Sequence, residues 1–151
     1  MKLDWKVIVG GGLLMYVVEF IAGFITGPLI HEGVLDPYYI ATAEFWRPEL
    51  QQDPPDMAAL MPRWITTGIL IAFVHAGIYD NIRSALNGSG LIQGLKFGLL
   101  LALINAMFGA AFSGVFNLPN AIWGWWTLDW FIVYPLGGLA LGWFAGKFGS
   151  E

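Results

Sequence analysis

Three polar side chains stand inside stretches that otherwise read as lipid-facing: Glu19, His75 and Asn105. An ionisable group at bilayer depth costs ~2.5–3.5 kcal/mol on insertion scales, so such residues are candidates for function before any others. A carboxyl and an imidazole that share a buried site can exchange a proton near neutrality. Counted from the ends of their apolar stretches the three lie about 12, 11 and 14 residues in, near mid-depth at ~1.5 Å per residue. Helical phase sets Glu19 with Gly12, Gly23 and Gly27, His75 with Gly68, Ala72 and Tyr79, and Asn105 with Gly98, Ala102 and Gly109. The expectation is a buried polar cluster, Glu19 bonded to His75 with Asn105 assisting, that fixes helix register. Two other uses stay open. The pair could handle protons or, less simply, ions. His75, flanked by Ala72, Ala76 and Gly77, could instead be the axial ligand of a flat tetrapyrrole. Haem in a bundle takes two protein ligands and no second histidine lies at depth, whereas a chlorophyll-type pigment needs one.

Other chemistry is poorly supplied. The chain has no cysteine, which removes thiol nucleophiles, Fe–S clusters and Cys-bound zinc. His31, Glu32, Asp36 and Glu44 fit no EF-hand or HExxH spacing and read as a solvated acidic loop, so no metal is expected. There is no Walker A loop or nucleophile elbow, and the glycines at 10 to 12 follow no strand. Seven basic residues against eleven acidic ones give nucleic acid no electrostatic footing. The sequence predicts no enzyme.

The elements that must carry these residues are membrane helices. The 151 residues are 57% hydrophobic and 12% charged, with a mean hydropathy of +0.64. Apolar stretches at about 7–30, 64–82, 91–116 and 121–145 each approach or exceed the ~20 residues that cross a bilayer. The connections Arg83–Gly90 and Asn117–Asn120 are tight, which predicts a single all-α domain, an up-down four-helix bundle. The long acidic loop 31–61 is different. Asp36-Pro37 and Asp53-Pro54 each resemble an N-cap before a first-turn proline. Residues Pro37–Trp46 are expected to form a short amphipathic surface helix, and a further start near Asp56 to run into the second span past Pro62. Lys2, Lys6, Arg83, Lys96 and Lys147 fall on one side of the alternation, Arg47 and Arg63 on the other. That bias predicts a multi-pass protein of the bacterial inner membrane with both termini cytoplasmic. The first stretch, too long for a signal peptide and interrupted by Glu19, is expected to be a retained anchor.

Lipid gives helices no hydrophobic reason to associate, so small residues must allow close approach. Stripes at spacing four occur at Gly23 and Gly27, at Gly68, Ala72 and Ala76, at Gly94 and Gly98, and at Gly138, Gly142 and Gly146. They predict helix packing, inside the chain or onto another protein. Trp123, Trp125, Trp126 and Trp130 cluster at the outer end of the fourth stretch, as interface aromatics or as a flat surface for a partner or pigment ring. Asp129, half a turn from the glycine stripe, is expected to pair locally with Arg63 or Arg47.

Residues Gly88–Lys147 resemble a group of four-helix bacterial integral membrane proteins to which no activity is assigned. The likeness rests on Gly88-Ser89-Gly90, on Gly94-Leu95-Lys96-Phe97-Gly98-Leu99-Leu100, and on Trp130-Phe131-Ile132 followed by Gly137-Gly138-Leu139-Ala140-Leu141-Gly142. It implies the same span count and long first outer loop, and carries over no catalytic residue. The residues together predict a non-catalytic accessory or scaffolding subunit of a larger membrane complex, in contact with lipid and other integral subunits. The alternatives are a pigment- or quinone-binding subunit of an electron-transfer or photosynthetic complex, with His75 as ligand, or a small proton-coupled transporter using Glu19 and His75. A bound lipid is the remaining cofactor candidate.

Overall fold

The computed structural model describes residues 3–150; Lys2, one of the basic residues counted above, lies outside them. The first helix begins as a π-helical turn, Val7–Gly11, and continues as α1, Gly12–Leu29. Pro28 has no N–H to donate, and just beyond it the helix widens into a second π turn, Ile30–Val34, closed by Leu35 N–H donating to the Ile30 carbonyl at 2.8 Å. A short α2, Asp36–Ala41, follows. The Asp56 carboxylate accepts from Ala59 N–H at 3.1 Å and starts α3, Met57–Ile82. Then come α4, Gly90–Ser113, and α5, Asn120–Phe148. Among the described residues these give four helices long and apolar enough to cross a membrane: Val7–Val34, Met57–Ala85, Gly90–Ser113 and Asn120–Phe148. The fold is all-α, four long helices with one short extra helix.

Two local expectations shift. The surface helix stops at Ala41 instead of Trp46, because Thr42 leaves helical geometry and its hydroxyl donates back to the Tyr38 carbonyl at 2.8 Å. No helix starts at Asp53-Pro54; the start that forms is the one expected near Asp56, with Asp56 as its cap.

The glycines explain the packing order. α4 and α5 share the largest interface. A Cβ on Gly94 would land on the Gly138 carbonyl oxygen and 2.8 Å from Gly142 Cα. One on Gly142 would land on the Gly90 carbonyl and 2.7 Å from Gly94 Cα, and one on Gly98 would lie 2.7 Å from Pro135 Cα. Gly146 continues the row beside Gly90 at 3.6 Å. Two glycine stripes therefore interlock, antiparallel, backbone on backbone. α1 packs on α3 by the same device at smaller scale. Gly12 sits against Ala72 and Ala76, and a Cβ on Gly68 would stand 2.5 Å from the Tyr16 ring that covers it. Gly23 and Gly27 do not take part: a Cβ on either would meet nothing within 4 Å. The inward face of α1 runs instead through Met15, Ala22 and Thr26 to Ile30, one residue out of phase with that stripe.

The main core gathers Val7, Met15, Ala76, Tyr79, Phe97, Leu101, Leu141 and Ala145. Among the long helices α3 shares a substantial interface with the first helix alone. It touches α4 where the Tyr79 and Phe97 rings lie 5.3 Å apart. Only 11% of its most apolar stretch is buried, against 28% in each of the other three.

Polar bonds close the end of the bundle that carries Lys6, Arg83, Lys96 and Lys147. Asp4 accepts from Ser150 N–H at 2.6 Å and from the Ser150 hydroxyl at 2.7 Å, while its own N–H donates to Asp80 at 2.8 Å. Arg83 pairs with Asp80 at 3.3 Å and donates to the Ser150 carbonyl at 2.6 Å. The first, third and fifth helices are thereby tied together. Hydrogen bonds from Ser150 hold the Asp4 carboxyl down at about 2.

Candidate functional site

Among the described residues no hydrogen bond links the three residues expected to form one cluster. In α1, Glu19 lies against Gly137 of α5, where a Cβ would stand 2.5 Å from Oε1. Glycine at 137 is what makes room for the carboxyl. His75 meets α5 through Tyr134, the two rings edge-to-face at 5.9 Å. Asn105 donates to the Leu101 carbonyl of its own helix at 2.9 Å. Glu19 and His75 meet α5 only three residues apart, at Gly137 and Tyr134, yet no hydrogen bond joins them among the described residues. Asn105 is seven residues past Gly98, itself beside Tyr134 and Pro135, and so lies about 10 Å farther out. Among the described residues Glu19 Oε1 and His75 Nδ1 are buried without a hydrogen-bond partner. Such groups in native interiors ordinarily find one. A shallow groove of about 260 Å³ runs along α3 beside the imidazole, lined by Leu70, Ile71, Val74 and His75.

Tyr134 is the residue missed in this region. Its place four before Gly138, in the same row as the interlocking glycines, was the available signal.

A second polar group, at the far end, was not foreseen as a unit. The π turn carries His31 into line with Tyr39 of α2 and Asp129 of α5. His31 Nδ1 and the Tyr39 hydroxyl are 2.8 Å apart, and His31 Nε2 faces Asp129 Oδ2 at 3.6 Å. Trp126 Nε1–H donates to the same hydroxyl at 2.7 Å. A proton on His31 Nε2 makes the chain consistent: indole donates to phenol, phenol to imidazole, and imidazole points its N–H at carboxylate. Burial raises the Tyr39 hydroxyl above its usual range, with the Asp129 charge adding and the Trp126 hydrogen bond opposing. Around the chain Ile30, Leu35 and Ile122 form a second small core, covered by Tyr39, Trp46, Leu118, Trp125 and Trp126. Trp46 donates to the Tyr39 carbonyl and to the Thr42 hydroxyl, both at 3.1 Å.

Two expectations change here. Asp129 faces His31 instead of Arg63 or Arg47, and Arg47 binds Glu49 at 2.8 Å. Tyr39 and Trp46 turn inward, while Tyr38 and Phe45 remain exposed. The four tryptophans of α5 are half-buried: Trp123 meets Trp126 edge to face, Trp130 meets it at a tilt, and Trp130 covers Gly109 of α4. Among the described residues no three His, Asp or Glu side chains gather as a metal-ligand set.

No family model, curated protein or solved structure matches this chain.

Proposed function

We propose that the chain is a non-catalytic accessory or scaffolding subunit of a larger complex in the bacterial inner membrane, and that α3 is the helix its partner meets. The observation that carries this reading is His75. It stands half-buried at the edge of the least-covered helix, its ring lining the outer groove beside a ridge of Leu70, Ile71, Val74 and Ile78 that faces away from α1. Lipid can cover the ridge as well as protein can, but it offers the imidazole no partner at that depth. A neighbouring helix with a polar side chain does. The interlocked stripes of α4 and α5 are occupied within the chain, which leaves α3 as the docking side. The gathering of Lys6, Arg83, Lys96 and Lys147 at one end supports a cytoplasmic position for that end. The test is the mass of the particle cut from native membranes with a lipid-retaining polymer. A stoichiometric second polypeptide that is lost in His75→Leu supports the reading. A particle holding this chain and lipid alone contradicts it.

The groove beside His75 favours a second reading, a lipid-soluble ring such as a pigment or quinone lying against the imidazole. An absorption band removed by His75→Leu would select it. The proton-carrier reading rests on a Glu19–His75 relay; the two side chains meet α5 three residues apart without a hydrogen bond between them.

A further inference from the structure

At the end of the bundle that carries the lysines, the first turns of the N-terminal helix and the last turns of α5 leave a groove of about 440 Å³, lined by Trp5, Lys6, Val9, Gly10, Phe144 and Phe148. The sequence builds it in two ways. The helix is widened to a π turn over Val7–Gly11, and Gly10 lets the Phe144 ring settle where a Cβ would stand 2.5 Å from it. The walls are apolar, and Lys6 is the one charged residue among those that line them. The Lys147 ammonium lies over the Trp143 and Phe148 rings at 5.2 and 5.3 Å, at the same mouth. Among the described residues neither lysine has an ion-pair partner. The Asp4 carboxylate, two residues before Lys6, is engaged by Ser150 and by the Lys6 N–H. Trp5, 66% exposed, marks headgroup level.

We propose that this groove binds an anionic phospholipid, one acyl chain lying along Val9, Gly10 and Phe144 and the phosphate held between Lys6 and Lys147. An apolar trough that opens sideways at interface depth selects a chain, and two ammonium groups at its mouth select a negative headgroup. The site is independent of the partner reading of α3.

The test uses the full chain reconstituted into nanodiscs of equal parts phosphatidylglycerol and phosphatidylcholine, re-extracted in mild detergent, with the retained lipids counted by mass spectrometry. Each lysine near a phosphate favours the anionic lipid by about fivefold, so the intact chain should enrich phosphatidylglycerol about thirtyfold. Lys6→Gln with Lys147→Gln should reduce the ratio to near one. Val9→Trp, which fills the trough, should leave neither lipid bound. Equal retention of the two lipids by the intact chain overturns the proposal, as does a preference that survives loss of both lysines. Should Val9→Trp fail to fold, the lysine pair, both at exposed positions, decides alone.

Discussion

His31 shows how one residue's meaning depends on a helix end. Ending the first span at Ile30 leaves His31 in a solvated loop; carrying the helix through the π turn Ile30–Val34 places it between Tyr39 and Asp129. The Tyr39 hydroxyl then serves two half-buried partners, Trp126 and His31. Tyr39→Phe removes that oxygen and strands both, at an expected cost of about 1–3 kcal/mol. Thermal melts of Tyr39→Phe, Trp126→Phe and the double variant should be strongly non-additive, the second change costing little after the first; simple addition would show that the two do not share a bond. Asp4 makes a prediction of different form. Its carboxyl sits at about 2, below the ordinary 3.8, because Ser150 donates to the charged form. Its contribution to stability is therefore full above about pH 4 and lost as pH falls toward about 2. The melting difference between the intact chain and Asp4→Asn should hold constant from neutrality down to about pH 4 and close below it. Closure already at pH 6 would assign the effect to another group.

At the scale of elements, one pattern had two fates. Glycines four apart permit close approach without requiring it. In α4 and α5 the stripes face one another in register, and each carbonyl fills the space a Cβ would need. In α1 the stripe at Gly23 and Gly27 meets nothing within 4 Å. Gly142→Leu should push α4 from α5 and cost at least about 1–3 kcal/mol, seen as loss of folded yield or a lower melting temperature. Gly27→Leu should stay within about 0.5 kcal/mol. Equal effects would mean that the stripes are not interlocked as described. What was legible followed the same logic. Four apolar stretches and tight second and third connections are local properties, and they yield the helix count. The register between helices is not local. Sequence depth put Glu19, His75 and Asn105 on one level, but α3 starts at Met57, well before the apolar stretch, and packs with Ala72 and Ala76 at Gly12. A shift between neighbours leaves every hydropathy profile unchanged and decides whether a carboxyl bonds an imidazole, which Glu19 and His75 do not.

For the whole molecule, three devices hold four helices together: the glycine interlock of α4 with α5, the clasp of Asp4, Asp80, Arg83 and Ser150 at one end, and the His31–Tyr39–Trp126 chain over the small core at the other. α3 benefits least from them along its middle, where it shows the bilayer a row of aliphatic side chains and one imidazole. The Arg83 clasp pins its far end, so Arg83→Gln should loosen α3 selectively, raising hydrogen exchange in Thr67–Ile82 more than in α4 or α5. Uniform exchange across the helices would deny α3 its loose attachment. The proposed accessory role turns on that exposed side. A photo-crosslinking residue placed at Val74, on the α3 ridge, and separately at Met107, on the outward face of α4, distinguishes protein from lipid as the neighbour in living membranes. The account predicts a single heterologous protein adduct from Val74, abolished by His75→Leu, and lipid adducts alone from Met107. Lipid adducts alone from both positions would contradict it.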